Sequence, residues 1–128
     1  MHNLLTEQPQ LNGHNPAVQD ALLAAGRFSL DRGLDGFRLD AINFSMHDPK
    51  QKENPTFPPG GKRTRPFDFQ DKIHNQSHPD IADFLARVRQ LTDSYPGDRF
   101  TVAEVGGDHA EREMAEYTAQ DRRLHSAY

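Results

Sequence analysis

The sequence has no cysteine and no tryptophan among its 128 residues, and apolar residues make up only 34% of it. Without cysteine, a disulfide framework and thiolate chemistry are excluded. No apolar run approaches the ~20 residues that a membrane-spanning helix needs, and the first residues lack the charged and apolar blocks of a signal peptide. The composition predicts one small, soluble domain in the cytoplasm, with no membrane partner.

The sequence also lacks a large excess of either acidic or basic residues. The chain carries 19 acidic and 15 basic residues, a net charge of −4, and its basic residues are dispersed. A nucleic-acid-binding module would concentrate them in a stripe, so we expect no nucleic acid partner. The short basic run at 62–65 is interpreted as a solvent-exposed loop.

Apolar periodicity and turn residues predict a chain in which helices and strands alternate. Helices are predicted over 16–32, 77–95 and 108–117, and strands over 34–41, 100–105 and 124–128. Such alternation predicts an α/β protein with a parallel sheet. Three parallel strands cover their two faces poorly alone, so we expect part of a larger α/β structure.

Local signals predict where these elements begin. Asn15 is expected to cap the first helix, and two capping boxes, Ser77 with Asp80 and Asp108 with Glu111, are predicted for the others. Gly26 is expected to weaken the first helix by about 1 kcal/mol relative to alanine.

The segment 43–76 is rich in proline, glycine and polar residues. Such a composition cannot form a buried face, so we predict a long, mostly irregular and mobile βα loop. It is expected to overlie the carboxyl ends of the strands as a cleft wall.

Two carboxylates follow predicted strands, the place where catalytic groups converge in parallel sheets. They are Asp40 and Glu104, and Arg38 precedes Asp40 by two residues on the same strand face. A neighbouring cation favours an ionised Asp40, while the apolar flanks of Glu104 favour a raised pKa, which suits a division between nucleophile and acid. The alternative is that both carboxylates cap helices or pair with lysines.

These residues lie in motifs that resemble the α-amylase family of glycoside hydrolases, in its α-glucosidase branch. GFRLDAINF at 36–44 resembles the nucleophile strand, and FTVAEVG at 100–106 resembles the general-acid strand. Residues 8–12, 14–16 and 75–80 resemble the segments that open helices in α-glucosidases. The likeness covers nearly the whole chain and implies part of a (β/α)8 (TIM) barrel, with 1–128 as a partial catalytic domain.

The resemblance implies a retaining α-glucosidase in which Asp40 is the nucleophile, Glu104 the general acid/base and Arg38 the residue that orients Asp40. Asn43 and Phe44 occupy the places of a Lys-His pair found in many amylases, which resembles the exo-acting branch. The small Ala41 resembles members that prefer α-1,4 bonds. Arg38, Ala41 and Phe44 are the expected substrate-binding residues, and a short α-glucoside oligosaccharide is the expected substrate.

The resemblance also leaves an alternative open, namely a truncated or degenerate relative without catalysis. The family's earlier Asp and His are expected before Met1 and its third carboxylate after Tyr128. Gly13, Ser29 and Ser45 stand where family members carry aromatic residues. We therefore expect the isolated chain to be inactive, with the remaining barrel segments or a second copy as partners for its sheet edges.

Seven histidines raise the question of a metal site. His74 and His78 are four residues apart, but they do not share a predicted helix and no third ligand stands at a fixed spacing. The sequence therefore predicts no metal and no cofactor.

Overall fold

In a computed structural model of the protein, which describes residues 6–58, 60 and 63–128, helices alternate with the strands of one parallel sheet. The α-helices are α1 (Pro16–Leu30), α2 (Ile81–Asp93) and α3 (Ala110–Tyr117), and the strands are β1 (Gly36–Leu39), β2 (Phe100–Ala103) and β3 (Ser126–Ala127). The strands lie in the order β1-β2-β3, and both neighbouring pairs are parallel. The predicted α/β class with a parallel sheet is confirmed.

Helix α1 begins as the sequence predicts. The side chain of Asn15 accepts a hydrogen bond of 3.0 Å from the backbone N–H of Ala17, and Pro16 occupies the first turn. The helix ends at Leu30, whose carbonyl accepts a hydrogen bond of 2.9 Å from Gly33. The glycine therefore ends the helix, two residues earlier than the predicted boundary.

Both predicted capping boxes are wrong. Helix α2 begins at Ile81, and the Asp80 side chain before it caps no backbone N–H because it turns toward His14, at 3.3 Å. Helix α3 also begins without a side-chain cap, and the carboxylate of Asp108 lies 3.5 Å from Arg63. In both cases a tertiary partner competes successfully with the local cap.

The core lies between the sheet and α2. It contains the buried side chains of Ile81, Leu85 and Val88 from α2, together with Ala103 and Leu124. None of the described helices combines the length and apolar character required to span a bilayer.

Gly26 is a contact point between α1 and this core. A Cβ at this position would lie 3.2 Å from Leu91 Cδ2 and 3.5 Å from Phe37 Cζ. The expectation that Gly26 only weakens α1 is therefore incomplete, because the missing side chain lets α1 lie close to α2 and β1.

The chain between β1 and α2 follows an irregular path over its described part. It contains short 3-10 turns at Ile42–Phe44 and Pro66–Phe69 and a single bridge between Thr56 and Gln70. Asp71 lies 3.4 Å from His109, in the turn that follows β2. This segment thus lies against the side of the sheet where the strands end.

Candidate active site

The register of the sheet places three side chains side by side where the strands end. In the last paired layer of β1 and β2, Leu39 lies beside Ala103. The ladder continues one residue further, because the N–H of Glu104 donates to the Leu39 carbonyl (2.9 Å) and the N–H of Tyr128 donates to the Ala103 carbonyl (3.0 Å). Neighbouring strands are about 4.8 Å apart, so Asp40, Glu104 and Tyr128 form one row across the sheet.

The Arg38 guanidinium joins this row. Its Nη1 donates to Asp40 Oδ1 at 2.5 Å, its Nη2 to Glu104 Oε2 at 2.9 Å, and its Nε to the Tyr128 hydroxyl at 2.8 Å. The hydrogen bonds to Tyr128 and then to Asp40 raise the pKa of Arg38, which therefore stays charged. The structure thus brings together the two carboxylates and the cation that the sequence singles out.

Asp40 is held in its ionised form. A hydrogen bond with the Glu104 carboxyl, followed by the hydrogen bond and charge of Arg38, lowers the pKa of Asp40 below its usual range. An ionised carboxylate next to a guanidinium is the form that a nucleophile requires. The two side chains are solvent-accessible in this chain, with 73% of Asp40 and 41% of Glu104 exposed.

Tyr128 is a site residue that the sequence reasoning missed. It follows β3 directly, just as Asp40 follows β1 and Glu104 follows β2. The signal was present in the predicted third strand, whose last residue falls in the same row as the two carboxylates.

The backbone at Ala41 turns sharply after Asp40. Its φ of 41° and ψ of 45° lie in the left-handed region, which is unfavourable for a residue with a Cβ. This conformation directs the Ala41 N–H toward Glu104 Oε2, at 3.4 Å. Ala41 and Phe44 line a cleft of about 340 Å³ together with Glu104 and Tyr128.

Asn43 ties the turn after β1 to the turn after β2. It is fully buried, and its Nδ2 donates to the Gly106 carbonyl at 2.7 Å and to Glu113 Oε2 at 3.1 Å. Sequence reasoning did not predict this contact, because a buried asparagine has no periodic signature. Its effect is to hold the segments that carry Asp40 and Glu104 in a fixed relation.

His74 and His78, which are four residues apart in sequence, contact different partners in the structure. His74 Nδ1 lies 3.5 Å from Asp48, whereas the His78 ring lies 4.5 Å from the His14 ring, centroid to centroid. Within the described residues, the potential metal ligands that gather in a group of three are His14, His78 and Asp80. None of them belongs to the row at the strand ends.

Comparisons with known proteins agree with this geometry. The family profile described as "Alpha amylase, catalytic domain" matches residues 1–127. A probable alpha-glucosidase of Rhizobium meliloti (strain 1021) is 42% identical over 100% of this chain and 24% of its own length, and Maltase A2 of Drosophila melanogaster is 33% identical over 84% and 18%. The crystal structure of an alpha-glucosyl transfer enzyme, XgtA, superposes with a TM-score of 0.92 at 45% identity, over 100% of this chain and 25% of that one.

The chain therefore spans about a quarter or less of the proteins it matches. The prediction that its strands and helices are part of a (β/α)8 barrel is confirmed by these matches. The family profile covers nearly every residue, and the register of the sheet brings the two carboxylate-bearing motifs together. The chain therefore belongs to the α-amylase family and represents part of its catalytic domain.

Proposed function

We propose that this chain carries the nucleophile and the general acid/base of a retaining α-glucosidase that hydrolyses terminal α-glucosidic bonds of short oligosaccharides. The observation that carries the proposal is the guanidinium of Arg38, which binds Asp40 and Glu104 at the ends of neighbouring strands. Retaining hydrolysis requires two carboxyl groups about 5–5.5 Å apart, close to the spacing of adjacent strands. The named relatives, a probable alpha-glucosidase and a maltase, act as independent support.

The reaction proceeds in two displacements. Asp40 attacks the anomeric carbon while Glu104 gives its proton to the departing glycosidic oxygen, which forms a covalent glucosyl ester and releases the first product. Glu104, now a carboxylate, takes a proton from water as that water attacks the same carbon. Glucose leaves, Asp40 is regenerated as a carboxylate, and Glu104 is again protonated.

Arg38, Ala41 and Phe44 are the proposed substrate-binding residues. Arg38 orients Asp40, and Ala41 and Phe44 line the cleft beside Glu104. The small side chain of Ala41 leaves room next to the nucleophile and supports a preference for α-1,4 bonds. In the proposed domain, residues 1–128 form part of the barrel, and the loop 43–76 forms one wall of the cleft.

A degenerate, non-catalytic relative has less physical support than this function. A Cβ at Gly13 would lie 2.4 Å from the Ser45 carbonyl oxygen, so the backbone is packed against the glycine on that side. Gly13 and Ser45 also line a pocket of about 220 Å³, so the packing at the positions of the family's aromatic residues is only partly filled.

Glucosyl transfer is a second candidate, favoured by the 45% identity to the alpha-glucosyl transfer enzyme XgtA. The same covalent intermediate would pass its glucosyl group to a sugar or alcohol hydroxyl instead of water, with Glu104 taking the proton of that hydroxyl. Product analysis with and without an added acceptor distinguishes the two reactions.

The experiment is a replacement of one segment in a related enzyme. Residues 1–128 of this chain replace the matching quarter of the Rhizobium meliloti probable alpha-glucosidase. The resulting chimera is assayed with a chromogenic α-glucoside. Asp40→Asn and Glu104→Gln are each expected to lower turnover by more than about 10²-fold, because each removes a group that acts at the reacting bond.

Asp35→Asn is the matched control. Asp35 is an exposed carboxylate at the opposite end of β1, and it pairs with Arg99 rather than Arg38. Its variant is expected to retain activity. An active chimera whose turnover survives Asp40→Asn would contradict the proposed nucleophile.

A further inference from the structure

We propose that His14, His78 and Asp80 form a zinc site, outside the row of side chains at the strand ends. The three residues come from two segments, the turn before α1 and the turn before α2. Their potential ligand atoms lie within 4.8 Å of one another.

Two of the three ligand distances match the edges of a coordination tetrahedron. His14 Nδ1 lies 3.3 Å from Asp80 Oδ2, and His78 Nδ1 lies 3.6 Å from the same oxygen. Zinc binds imidazole nitrogen and carboxylate oxygen at about 2.0–2.2 Å, so adjacent ligand atoms of a tetrahedral site are about 3.3–3.6 Å apart. The two histidine ligand atoms lie within 4.8 Å of each other, so a shift of one ring would complete the three-ligand geometry.

The tautomer of His14 is the one that a metal ligand requires. Its Nε2 lies 2.6 Å from the His47 carbonyl oxygen, which can only accept, so the ring proton is on Nε2. Nδ1 faces the Asp80 carboxylate at 3.3 Å, and either a proton on Nδ1 or a metal ion would satisfy the two atoms. A backbone carbonyl that fixes the far nitrogen in this way is the usual outer support of zinc-bound histidine.

The other two side chains differ in how readily they would bind the ion. The Asp80 carboxylate caps no N–H of α2, although it stands at the start of that helix. His78 Nδ1 accepts a long hydrogen bond of 3.3 Å from the Asp80 N–H, and the ring would give up this weak bond to bind an ion through Nδ1. The side chain of Asp80 is 59% exposed, which leaves an entry path and room for water as the fourth ligand.

The donor set selects the metal. Two imidazole nitrogens and one carboxylate suit zinc, whereas calcium and magnesium take sites built from oxygen. The bound ion would join the segment before α1 to the start of α2 and stabilise the folded chain by binding it in preference to the unfolded one.

The test is calorimetric titration of Zn²⁺ into the metal-free 128-residue chain. One equivalent is expected to bind, and His78→Gln and Asp80→Asn are each expected to weaken binding at least tenfold, given that even outer partners of zinc sites change affinity by about 10–100-fold. His74→Gln is the matched control, because it removes a histidine that faces a single carboxylate, Asp48, and should leave the affinity unchanged. Ca²⁺ is expected to give no heat of stoichiometric binding.

Two further readouts separate loss of the site from loss of the fold. Co²⁺ should give the visible absorption bands of a four-coordinate site in the wild-type chain and the His74→Gln variant, and His14→Gln should lose them while keeping its circular dichroism spectrum. Zn²⁺ should also raise the Tm of the wild-type chain but not of His78→Gln. Stoichiometric binding that survives all three ligand substitutions, or no stoichiometric binding by the wild-type chain, would overturn the proposal.

Discussion

Gly36 controls the register on which the site depends, and its replacement by alanine has a calculable effect. A Cβ at Gly36 would lie 1.6 Å from the Phe100 carbonyl oxygen and 2.7 Å from its carbon. Non-bonded heavy atoms settle at about 3.5 Å, so β1 and β2 would have to separate locally by about 2 Å. The adjacent hydrogen bond from the Phe100 N–H to the Asp35 carbonyl, now 2.8 Å, would then be broken.

The expected loss combines two contributions. One or two ladder hydrogen bonds are worth about 0.5–1.5 kcal/mol each, and local overpacking adds about 1–3 kcal/mol, so Gly36→Ala should lower the free energy of unfolding by about 2–4 kcal/mol. Urea unfolding followed by circular dichroism measures it. Gly106→Ala is the control, because a Cβ there meets nothing within 4 Å, and it should stay within about 0.5 kcal/mol of the wild type. Equal midpoints for the two variants would refute the reasoning.

Three other predictions concern the row at the strand ends. Arg38→Gln in the chimera should raise the pKa of Asp40, which Arg38 helps to lower, so the acid limb of the pH–activity profile should move to higher pH; an unmoved limb would contradict this. Ala41→Gly should raise the free energy of unfolding by about 1 kcal/mol and Ala41→Val lower it by at least as much, because Ala41 has a φ of 41°; urea titration would show the opposite order if the strain is absent. The isolated 128-residue chain should turn over a chromogenic α-glucoside at less than about 1% of the chimera's rate, because its carboxylates are open to water, where fixed dipoles and charges stabilise a transition state poorly; robust turnover abolished by Asp40→Asn would disprove this.

The sequence predicts the order of elements and the position of the carboxylates because both depend on short-range patterns. Alternation identifies β1 and β2, and a side chain that directly follows a parallel strand must lie at the edge where the other strands end. Asp40 and Glu104 are therefore predictable as neighbours without any coordinates. The cap at Asn15 is predictable for the same reason, since its partner is only two residues away.

What the sequence could not predict are contacts between distant segments. Asp80 has the right spacing for a capping box with Ser77, yet it turns toward His14, which lies far from it in sequence. Ser77 meanwhile adopts a φ of 61°, and its N–H donates to the Asn43 carbonyl. A local rule gives the wrong result here because a long-range partner competes for the same groups, and no spacing in the sequence records that partner.

The arrangement around Arg38 also changes the reason for expecting an acid and a base at this site. The apolar neighbours of Glu104 in sequence suggested that burial would distinguish the two carboxyl groups, yet 41% of its side chain is exposed. The distinction follows more directly from charge, because one guanidinium faces two carboxyl groups. Two adjacent carboxylates repel each other, and the guanidinium between them offsets that repulsion. The pKa of Asp40 is lowered below its usual range, so Asp40 is held in the ionised form that the proposed nucleophile requires.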